Sequence, residues 1–310
     1  MERQYKHLFG PVPSRRLGRS LGVDLVPFKV CPIDCIYCEV GRTTFKTIRR
    51  DEYVPTEEIL DELRQKLAEG APIDVITITG SGEPTLHNRL GEIIQRIKAL
   101  TPIPVAVLTN GNLLYDAVVR HDLAAADMVL PSLDAADAHT YARINRPCEE
   151  ATFERLVEGL LVFRREYRGR IYLEVFFVAG VNDSEEQAQK MRALIDQIKP
   201  DRVDVNTVIR PPAESDSRAV DPHRLLRLCK ILGPGAQIIV PMPLEARQTR
   251  PVTEHDILEL LRRRPCTLDD LVAGLAAGHG EVHEQVGRLL ADGRLRSVRQ
   301  DGKDYLLIKV

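Results

Sequence analysis

Three cysteines stand close together near the amino end of the chain, at Cys31, Cys35 and Cys38. Thiolates are soft ligands, and three of them on one short loop can each take one iron of a cubane iron–sulfur cluster. A four-iron cluster has four corners, so three protein ligands leave one iron open to an outside ligand, as a catalytic cluster requires. Two alternatives stay open. One is chance spacing, and the other is a structural zinc site with a distant fourth ligand such as His7 or His87.

The rest of the chain predicts the elements that must position these thiols, because short β-branched runs alternate with amphipathic stretches. Strands are predicted at 23–26, 74–79, 105–109, 128–133, 171–178 and 203–209. Helices are predicted at 57–69, 90–100, 114–125, 152–167, 184–199 and 222–231. Such alternation, without a Gly-rich dinucleotide fingerprint, is typical of a parallel sheet closed fully or partly into a β/α barrel. In that fold the loops after the strands carry the chemistry.

The last sixty residues predict a separate, smaller unit. Prolines bracket a polar linker at 241–252, which divides the chain into domains at 1–240 and 253–310. Beyond the linker, three helices at 254–263, 268–276 and 281–292 precede two strands at 294–299 and 305–309. This order resembles a winged helix-turn-helix.

Charge argues against the DNA binding that a winged helix suggests. The candidate recognition helix opens with Glu281 and Glu284, and residues 251–310 carry nine Lys and Arg against ten Asp and Glu. Phosphate contacts need an excess of positive charge, so we do not expect sequence-specific DNA binding. We expect this unit to dock a protein, RNA or peptide partner, or to act as a lid on the barrel. A redox-sensing, DNA-binding regulator with an iron–sulfur cluster is the alternative function.

Composition predicts a cytoplasmic protein that has no membrane partner. The 310 residues are 44% hydrophobic and 28% charged, and no apolar run approaches the ~20 residues of a membrane span. The amino end lacks the apolar region of a signal peptide. Residues 1–50 carry ten Lys and Arg against four Asp and Glu, so something anionic is expected nearby.

The cysteine spacing, with Tyr37 directly before Cys38, resembles the signature of the radical SAM (S-adenosylmethionine) enzymes, and the resemblance covers about residues 15–240. It implies a partial (β/α)6 barrel, a [4Fe-4S] cluster and bound S-adenosylmethionine. It also implies an electron donor of the flavodoxin or ferredoxin type. The implied reaction passes one electron from the reduced cluster into the sulfonium bond, giving methionine and a 5'-deoxyadenosyl radical that abstracts hydrogen from a substrate.

Residues 80–84 lie where that family has its Gly-Gly-Glu element, with Ser81 in place of the first glycine. The resemblance implies that Gly82, through its backbone, and Glu83, through its carboxylate, contact the methionyl amino group. A carboxylate is also a good acceptor for an ammonium group on physical grounds. The alternative is that Glu83 complements the dipole of the following helix.

Later strand ends supply further cofactor-binding candidates by the same resemblance. Asn110, Ser132 and Asp134 follow the third and fourth strands, where the family places polar groups on the methionyl carboxylate and the ribose. Ile209 lies in the segment expected to meet the adenine, and Tyr37 belongs to the cluster motif itself. The alternatives are an ordinary turn at Asn110 and capping roles for Ser132 and Asp134.

The substrate candidates are arginines. Arg15, Arg16 and Arg19 lie in a Gly/Pro-rich leader at 9–24 that resembles the group related to wyosine-type tRNA base synthetases. Together they could hold a phosphate or carboxylate. Arg143, after the fourth strand, could line the substrate pocket. The alternatives are that the leader arginines pair with acids of the barrel or neutralise the cluster, and that Arg143 is a surface side chain.

Wyosine chemistry itself is disfavoured. The wyosine-forming enzymes carry additional cysteines upstream of the cluster motif, and no cysteine precedes Cys31 here. Cys148, Cys229 and Cys266 are isolated and are expected to be small apolar side chains rather than ligands. The substrate is therefore expected among other anionic molecules, nucleotides, RNA or peptides.

Overall fold

The computed structural model describes residues 5–239, 252–275, 277–300 and 302–309. The strands are β1 Leu8–Ser14, β2 Gly18–Val23, β3 Val30–Cys31, β4 Phe45–Lys46, β5 Val75–Ile78, β6 Val105–Thr109, β7 Met128–Pro131, β8 Arg170–Phe177, β9 Arg202–Thr207, β10 Ala236–Ile238, β11 Leu295–Gln300 and β12 Lys303–Ile308. The helices are α1 Thr56–Ala68, α2 Leu90–Leu100, α3 Ala117–Leu123, α4 Ala138–Asn145, α5 Phe153–Glu166, α6 Glu185–Ile198, α7 Pro222–Leu232, α8 Glu254–Arg263, α9 Leu268–Leu275 and α10 His279–Ala291.

One sheet organises the chain as far as residue 238, with strand order β1-β2-β5-β6-β7-β8-β9-β10. All neighbours in it are parallel except β1, which runs antiparallel to β2. Strands such as Val75–Ile78 are buried at every position, as a sheet covered on both faces requires. Because β1 and β10 are separate edges of the sheet, the barrel stays open, and the predicted partial β/α barrel is confirmed.

The helices form where an apolar stripe and a capping side chain coincide. In α1 the stripe includes Ile59, Leu60 and Leu63, all fully buried against the sheet. The N-cap side chains of Thr152 and Ser184 accept hydrogen bonds from the third backbone N–H that follows each of them. Within the described ranges, no helix is long and apolar enough to cross a bilayer.

The first strand differs from the prediction. The predicted strand at 23–26 was wrong, because β2 ends at Val23 and Asp24 leaves the sheet to accept hydrogen bonds from Ser81. The residues after Asp24 are apolar because they pack in the core rather than because they pair in the sheet. The leader also contains strand β1, which was not predicted because its glycine and prolines are typical of a loop. An edge strand tolerates proline because one row of its backbone groups needs no partner.

Smaller differences concern element ends. The predicted helix at 114–125 is limited to Ala117–Leu123, whose N-cap is Asp116. The predicted strand at 203–209 ends at Thr207. Helix α4 and strand β10 were not predicted, since each is short and lies close to a longer element.

The carboxyl-terminal segment has the predicted order of three helices followed by a hairpin. Its core is a second hydrophobic cluster that includes the fully buried Ile257, Leu271 and Val282, and Val12 of β1 belongs to the same cluster. The segment therefore packs on the first hairpin of the barrel. Of the predicted linker only Val252 is described, and residue 276 of the predicted second helix also lies outside the described residues. The domain boundaries stay a prediction.

The core on the helical side of the sheet can be tested at Phe163, which is 1% exposed and stacks on Tyr167 with ring centroids 4.6 Å apart. We expect Phe163→Ala to lower the free energy of unfolding by about 3–5 kcal/mol, because it removes buried apolar surface and leaves a cavity. Urea denaturation followed by circular dichroism measures this change. Val118→Ala, at an exposed position on α3, is the control and should change stability by less than about 0.5 kcal/mol. Equal losses in the two variants would contradict this packing of the Phe163 ring.

Candidate functional site

The three thiols lie on an irregular loop that begins at the end of β3. Backbone hydrogen bonds hold the loop, with Cys38 N donating to Cys35 O at 3.1 Å and Gly41 N donating to Cys38 O at 3.2 Å. All three cysteines are partly exposed and none is in a disulfide. They therefore remain accessible while their backbone is fixed.

Each sulfur has a nitrogen donor from a different part of the chain. Lys29 Nζ lies 3.0 Å from Cys38 Sγ. Asn110 Nδ2, after β6, lies 3.4 Å from Cys31 Sγ, and Asn145 Nδ2, at the end of α4, lies 3.3 Å from Cys35 Sγ. Donors directed at sulfur stabilise negative charge on it, which is the environment of an iron–sulfur cluster.

Two of the three thiols, those of Cys31 and Cys35, are poor acids. Burial, with help from the Glu83 carboxylate, raises the pKa of Cys31 to about 12. Burial also raises the pKa of Cys35, and the neighbouring Asp134 adds to the effect. A bound cation reverses this preference because it takes the thiolate form as its ligand. The donor set thus suits a positively charged iron centre.

The zinc alternative receives no support from the two histidines that it named. His87 is fully buried, with Nε2 2.9 Å from Val54 O and Nδ1 accepting from Arg89 N at 3.2 Å. His7 Nε2 faces Glu58 at 3.6 Å. Within the part of the chain that the structure describes, no group of three or more His, Cys, Asp or Glu side chains, the three cysteines included, is arranged to hold a single metal ion. In a cluster each thiolate would instead bind its own iron.

The loop after β5 lies directly against the segment that leads into the thiol loop. Lys29 N donates to Ser81 O at 2.7 Å, and Glu83 N donates to Val30 O at 3.0 Å. A Cβ atom at Gly82 would lie 2.2 Å from Val30 O, so only glycine fits there. The predicted element at 80–84 therefore lies beside the cysteines.

Glu83 is almost completely buried, with 2% exposure, and hydrogen bonds to its carboxylate offset the cost of that burial. Its Oε1 accepts from the hydroxyls of Thr85 and Thr109, both at 2.6 Å, and its Oε2 accepts from Asn110 N at 2.8 Å. It also accepts from Thr85 N as the N-cap of a single 3-10 turn, Pro84–Leu86. Burial raises the pKa of Glu83. The carboxylate thus joins the carboxyl ends of β5 and β6.

Asp134, after β7, makes a similar junction. Its Oδ2 accepts from the Tyr37 hydroxyl and from Asn145 Nδ2 at 2.9 Å, and its Oδ1 accepts from Phe176 N at 3.0 Å. The Tyr37 ring stacks on Phe176 with centroids 3.9 Å apart. Burial raises the pKa of Asp134 to about 6. Asp134 therefore holds two neighbours of the cysteines, Tyr37 and Asn145, in place.

The structure separates the leader arginines. Arg16 forms an ion pair with Glu174 of β8, and Arg15 Nη1 lies 3.4 Å from Asn206 Oδ1 of β9. Arg19 instead forms a two-pronged pair with Asp74, which precedes β5 and so lies at the amino end of the strand, away from the thiols. Arg16 and Arg19 therefore fit the alternative that the leader arginines pair with acids of the barrel.

The remaining predicted residues lie around the edge of the site. Ser132 forms a β-bridge with Glu174. Ile209 follows β9, and its carbonyl accepts from the Tyr305 hydroxyl of the carboxyl-terminal hairpin at 2.6 Å. Arg143 is exposed on α4 and lines a cavity of about 360 Å³. That cavity is also lined by Ile36, Arg146, Val178, Val181 and Glu214.

Sequence reasoning missed Lys29, Asp24 and the sulfur contact of Asn145. Lys29 lies two residues before Cys31, so a buried cation near the thiols had a sequence signal. It is 4% exposed with φ of 57°, a conformation that a non-glycine residue adopts only when its surroundings impose it. Asn145 was considered, with Arg143, as a residue that lines the substrate pocket. Its contact with Cys35 and the role of Asp24 gave no comparable signal, because both are made across the fold.

An open β/α barrel with three cluster-type thiols beside the carboxyl ends of its strands defines the class as a barrel enzyme that holds an iron–sulfur cluster. The Radical SAM superfamily model matches residues 25–195. The chain therefore belongs to the radical SAM superfamily. Members bind a [4Fe-4S] cluster and S-adenosylmethionine, and the predicted cofactors are confirmed.

Two relatives and one solved structure are similar to this chain. A protein named GTPase Obg from Brachyspira hyodysenteriae is 37% identical over 94% of this chain, which spans 43% of that protein. A UPF0026 protein of Methanocaldococcus jannaschii is 30% identical over 96% of this chain and 95% of its own length. A structure of TYW1 with a lysine-pyruvate adduct bound is similar over 74% of this chain and 77% of that chain, with a TM-score of 0.54 and 19% identity. At that identity the likeness shows the fold alone.

The raised pKa of Asp134 predicts a pH dependence of stability in the metal-free protein. Its folded-state pKa of about 6 lies above the value of about 3.9 in an unfolded chain, so the folded state holds the proton more tightly. Its contribution to stability is then full below about pH 4 and is lost as the pH rises through about 6. Relative to Asp134→Asn, the wild type should lose about 1–2 kcal/mol between about pH 5 and about pH 7.5. Urea denaturation of both proteins measures the difference, and a constant difference would contradict the assignment.

Proposed function

We propose that this protein reductively cleaves S-adenosylmethionine and uses the product to abstract hydrogen from a substrate, as an oxidoreductase or modifying enzyme. When bound, the cluster supplies an electron and an open iron for the sulfonium cofactor, which yields methionine and a 5'-deoxyadenosyl radical. The observation that carries the proposal is the set of three partly exposed thiols, each with its own nitrogen donor, beside a buried carboxylate at a strand end.

Cys31, Cys35 and Cys38 would hold three irons. Glu83 is suited to the methionyl amino group because its Oε2 accepts one hydrogen bond and keeps a lone pair for an ammonium donor. The backbone of Gly82 runs beside the thiol loop and would approach the same group. Asn110 and Ser132, at the next strand ends, are proposed for the methionyl carboxylate and the ribose.

Asp134 and Tyr37 are proposed to position the site rather than to bind through free atoms. Both Asp134 oxygens are engaged by protein donors, and the Tyr37 ring is stacked. Through Asn145 this carboxylate fixes the donor of Cys35. Its role would be to keep water from the sulfur and to hold the donor in place.

The cavity beside Ile36 is the proposed nucleoside pocket. Ile36 lies between Cys35 and Tyr37, and Val178 and Val181, which follow β8, add apolar walls that suit a planar base. Ile209 is proposed at its far border. Arg143 and Arg146 line the same cavity together with Glu214 and Asp216, and Arg146 pairs with Glu214.

The substrate is proposed to carry an anionic group, as nucleotides, RNA and many peptides do. Arg16 is paired with Glu174, whereas the hydrogen bond of Arg15 goes to the neutral amide of Asn206, with the Glu39 and Glu174 carboxylates near enough to attract its charge. Arg15 is therefore the leader arginine proposed for a ligand. Arg143 is the second candidate. Arg19 is left out because Asp74 occupies its guanidinium.

The carboxyl-terminal segment, which we propose to be a winged-helix-like domain, is assigned a lid role rather than DNA binding. Two arginines of its hairpin face acids, Arg294 with Glu254 at 2.6 Å and Arg299 with Asp304 at 3.7 Å. These pairs reduce the positive charge available to phosphates, so the DNA-binding regulator is the weaker function. An electron donor of the flavodoxin or ferredoxin type is the proposed protein partner.

Cys35→Ala tests the proposed chemistry directly. Anaerobic reconstitution with iron and sulfide, followed by dithionite and S-adenosylmethionine, should release 5'-deoxyadenosine from the wild type. The variant should lose both the cluster and the nucleoside product, because one of three ligands is missing. Cys148→Ala is the matched control and should retain both. Product formation by Cys35→Ala at the wild-type rate would refute the assignment.

Glu83→Gln tests the cofactor contact. We expect S-adenosylmethionine to bind about 10- to 150-fold more weakly, because a hydrogen bond to a charged group contributes about 1.5–3 kcal/mol. Equilibrium binding to the reconstituted protein measures the change, with iron content as the check on the cluster. Asp74→Asn, an acid at the opposite end of β5, should bind the cofactor like the wild type. Unchanged affinity in Glu83→Gln would remove this residue from the site.

A further inference from the structure

Two phenylalanines lie exposed next to the thiol loop. Phe28 is 51% exposed and Phe45 is 56% exposed, and their backbones are adjacent because Thr44 Oγ1 donates to Phe28 O at 3.0 Å and Phe45 N donates to Lys29 O at 3.2 Å. Every other phenylalanine among the described residues is buried or half-buried. A pair of exposed aromatic rings on neighbouring segments is typical of a contact surface.

Three exposed charges near these rings are positive, and two acids with exposed side chains, Asp51 and Glu52, follow them in the chain. Arg42, Lys46 and Arg49 are exposed on the same loop, with Arg42 facing Glu214 and Arg49 facing Asp51. The two acids between residues 28 and 50 turn inward. Asp34 Oδ1 accepts from Thr43 N at 2.7 Å, and Glu39 pairs with Arg210 at 3.0 Å. With two of the three cations paired to acids, the exposed side chains of residues 42–52 keep only a small positive excess, three charges against two, and this excess favours an acidic partner.

The inner side of the same segments contacts the cluster ligands. Lys29, directly after Phe28, reaches Cys38 Sγ at 3.0 Å. Lys46, directly after Phe45, pairs with Cys31 in the β3–β4 ladder, and Thr47 N donates to Cys31 O at 3.3 Å. One layer of chain therefore separates the exposed rings from two of the three cluster ligands.

We propose that this aromatic-basic face, formed by Phe28, Arg42, Phe45, Lys46 and Arg49, is where an acidic one-electron donor protein docks. The inference rests on the proposed function, which needs a reduced cluster. In the transfer the donor loses one electron and the cluster gains it, and no bond or proton changes place. The substrate must instead lie beside Glu83 and the nucleoside pocket.

The test compares a protein reductant with a chemical one, using the full reconstituted chain. Two double variants alter the face, Phe28→Ser with Phe45→Ser, and Lys46→Glu with Arg49→Glu. The matched control is Val118→Ser with Leu226→Ser, which replaces exposed apolar residues on α3 and α7. The probe is a flavodoxin reduced by its reductase and NADPH, and the readouts are bleaching of the cluster absorbance and release of 5'-deoxyadenosine.

We expect both face variants to be reduced by flavodoxin at least tenfold more slowly than the wild type, while their rates with dithionite stay within twofold. The charge variant should also lose the salt dependence of flavodoxin reduction, because attraction between exposed charges is screened by salt. The control pair should match the wild type with both reductants.

Wild-type flavodoxin rates in both face variants would overturn the proposal. So would an equal loss with dithionite, which would place these residues in the catalytic structure. Binding of bulk tRNA that the variants lose, with flavodoxin reduction unchanged, would assign the face to RNA instead. Bleaching of the cluster absorbance reports reduction alone and does not require cleavage of the cofactor. If flavodoxin bleaches the wild-type cluster but no 5'-deoxyadenosine forms, the proposed function is contradicted. The bleaching rates of the face variants would still decide whether flavodoxin docks at this face.

Discussion

The site depends on one close backbone approach, that of Gly82 to Val30. The thiol loop has little regular structure of its own, and two hydrogen bonds, from Lys29 N to Ser81 O and from Glu83 N to Val30 O, hold its entry against the end of β5. No side chain fits at position 82, because its Cβ would overlap the Val30 carbonyl. This contact fixes the distance between the cysteines and Glu83, so an irregular loop presents its sulfurs in a defined place.

Two buried carboxylates extend this constraint across the barrel. Glu83 and Asp134 are each 2% exposed, and burial raises the pKa of both. Hydrogen bonds from hydroxyl, amide and backbone donors offset the cost of burial and tie each carboxylate to several elements. The negative charge gathered there is matched to cationic ligands. An iron centre beside the thiols and an ammonium group beside Glu83 would supply the opposite charge.

Features that depend on local pattern could be predicted from the sequence, and features that depend on tertiary contact could not. Alternating strands and helices predict the barrel, and the rule that loops after parallel strands meet at one edge brings Glu83, Asn110 and Asp134 together. The hairpin of β1 and β2 was hidden, because an edge strand with prolines looks like a loop. The leader's separation of Arg19 from Arg15 depends on that hairpin, so sequence spacing alone could not show it.

The carboxyl-terminal segment contacts the barrel near both edges of the open sheet. Tyr305 donates to Ile209 O and Gln300 donates to Arg210 O at 3.3 Å, just beyond the end of β9. On the other side, Arg263 lies over the Phe9 ring of β1 and its Nε is 3.9 Å from Asp24 Oδ2. Asp24 also accepts from Ser81, so the segment reaches the loop that carries Glu83 through one shared carboxylate. A nearly neutral module suits this position, since its charges pair with one another and, at Arg263 and Asp270, with Asp24 and Arg210 of the barrel.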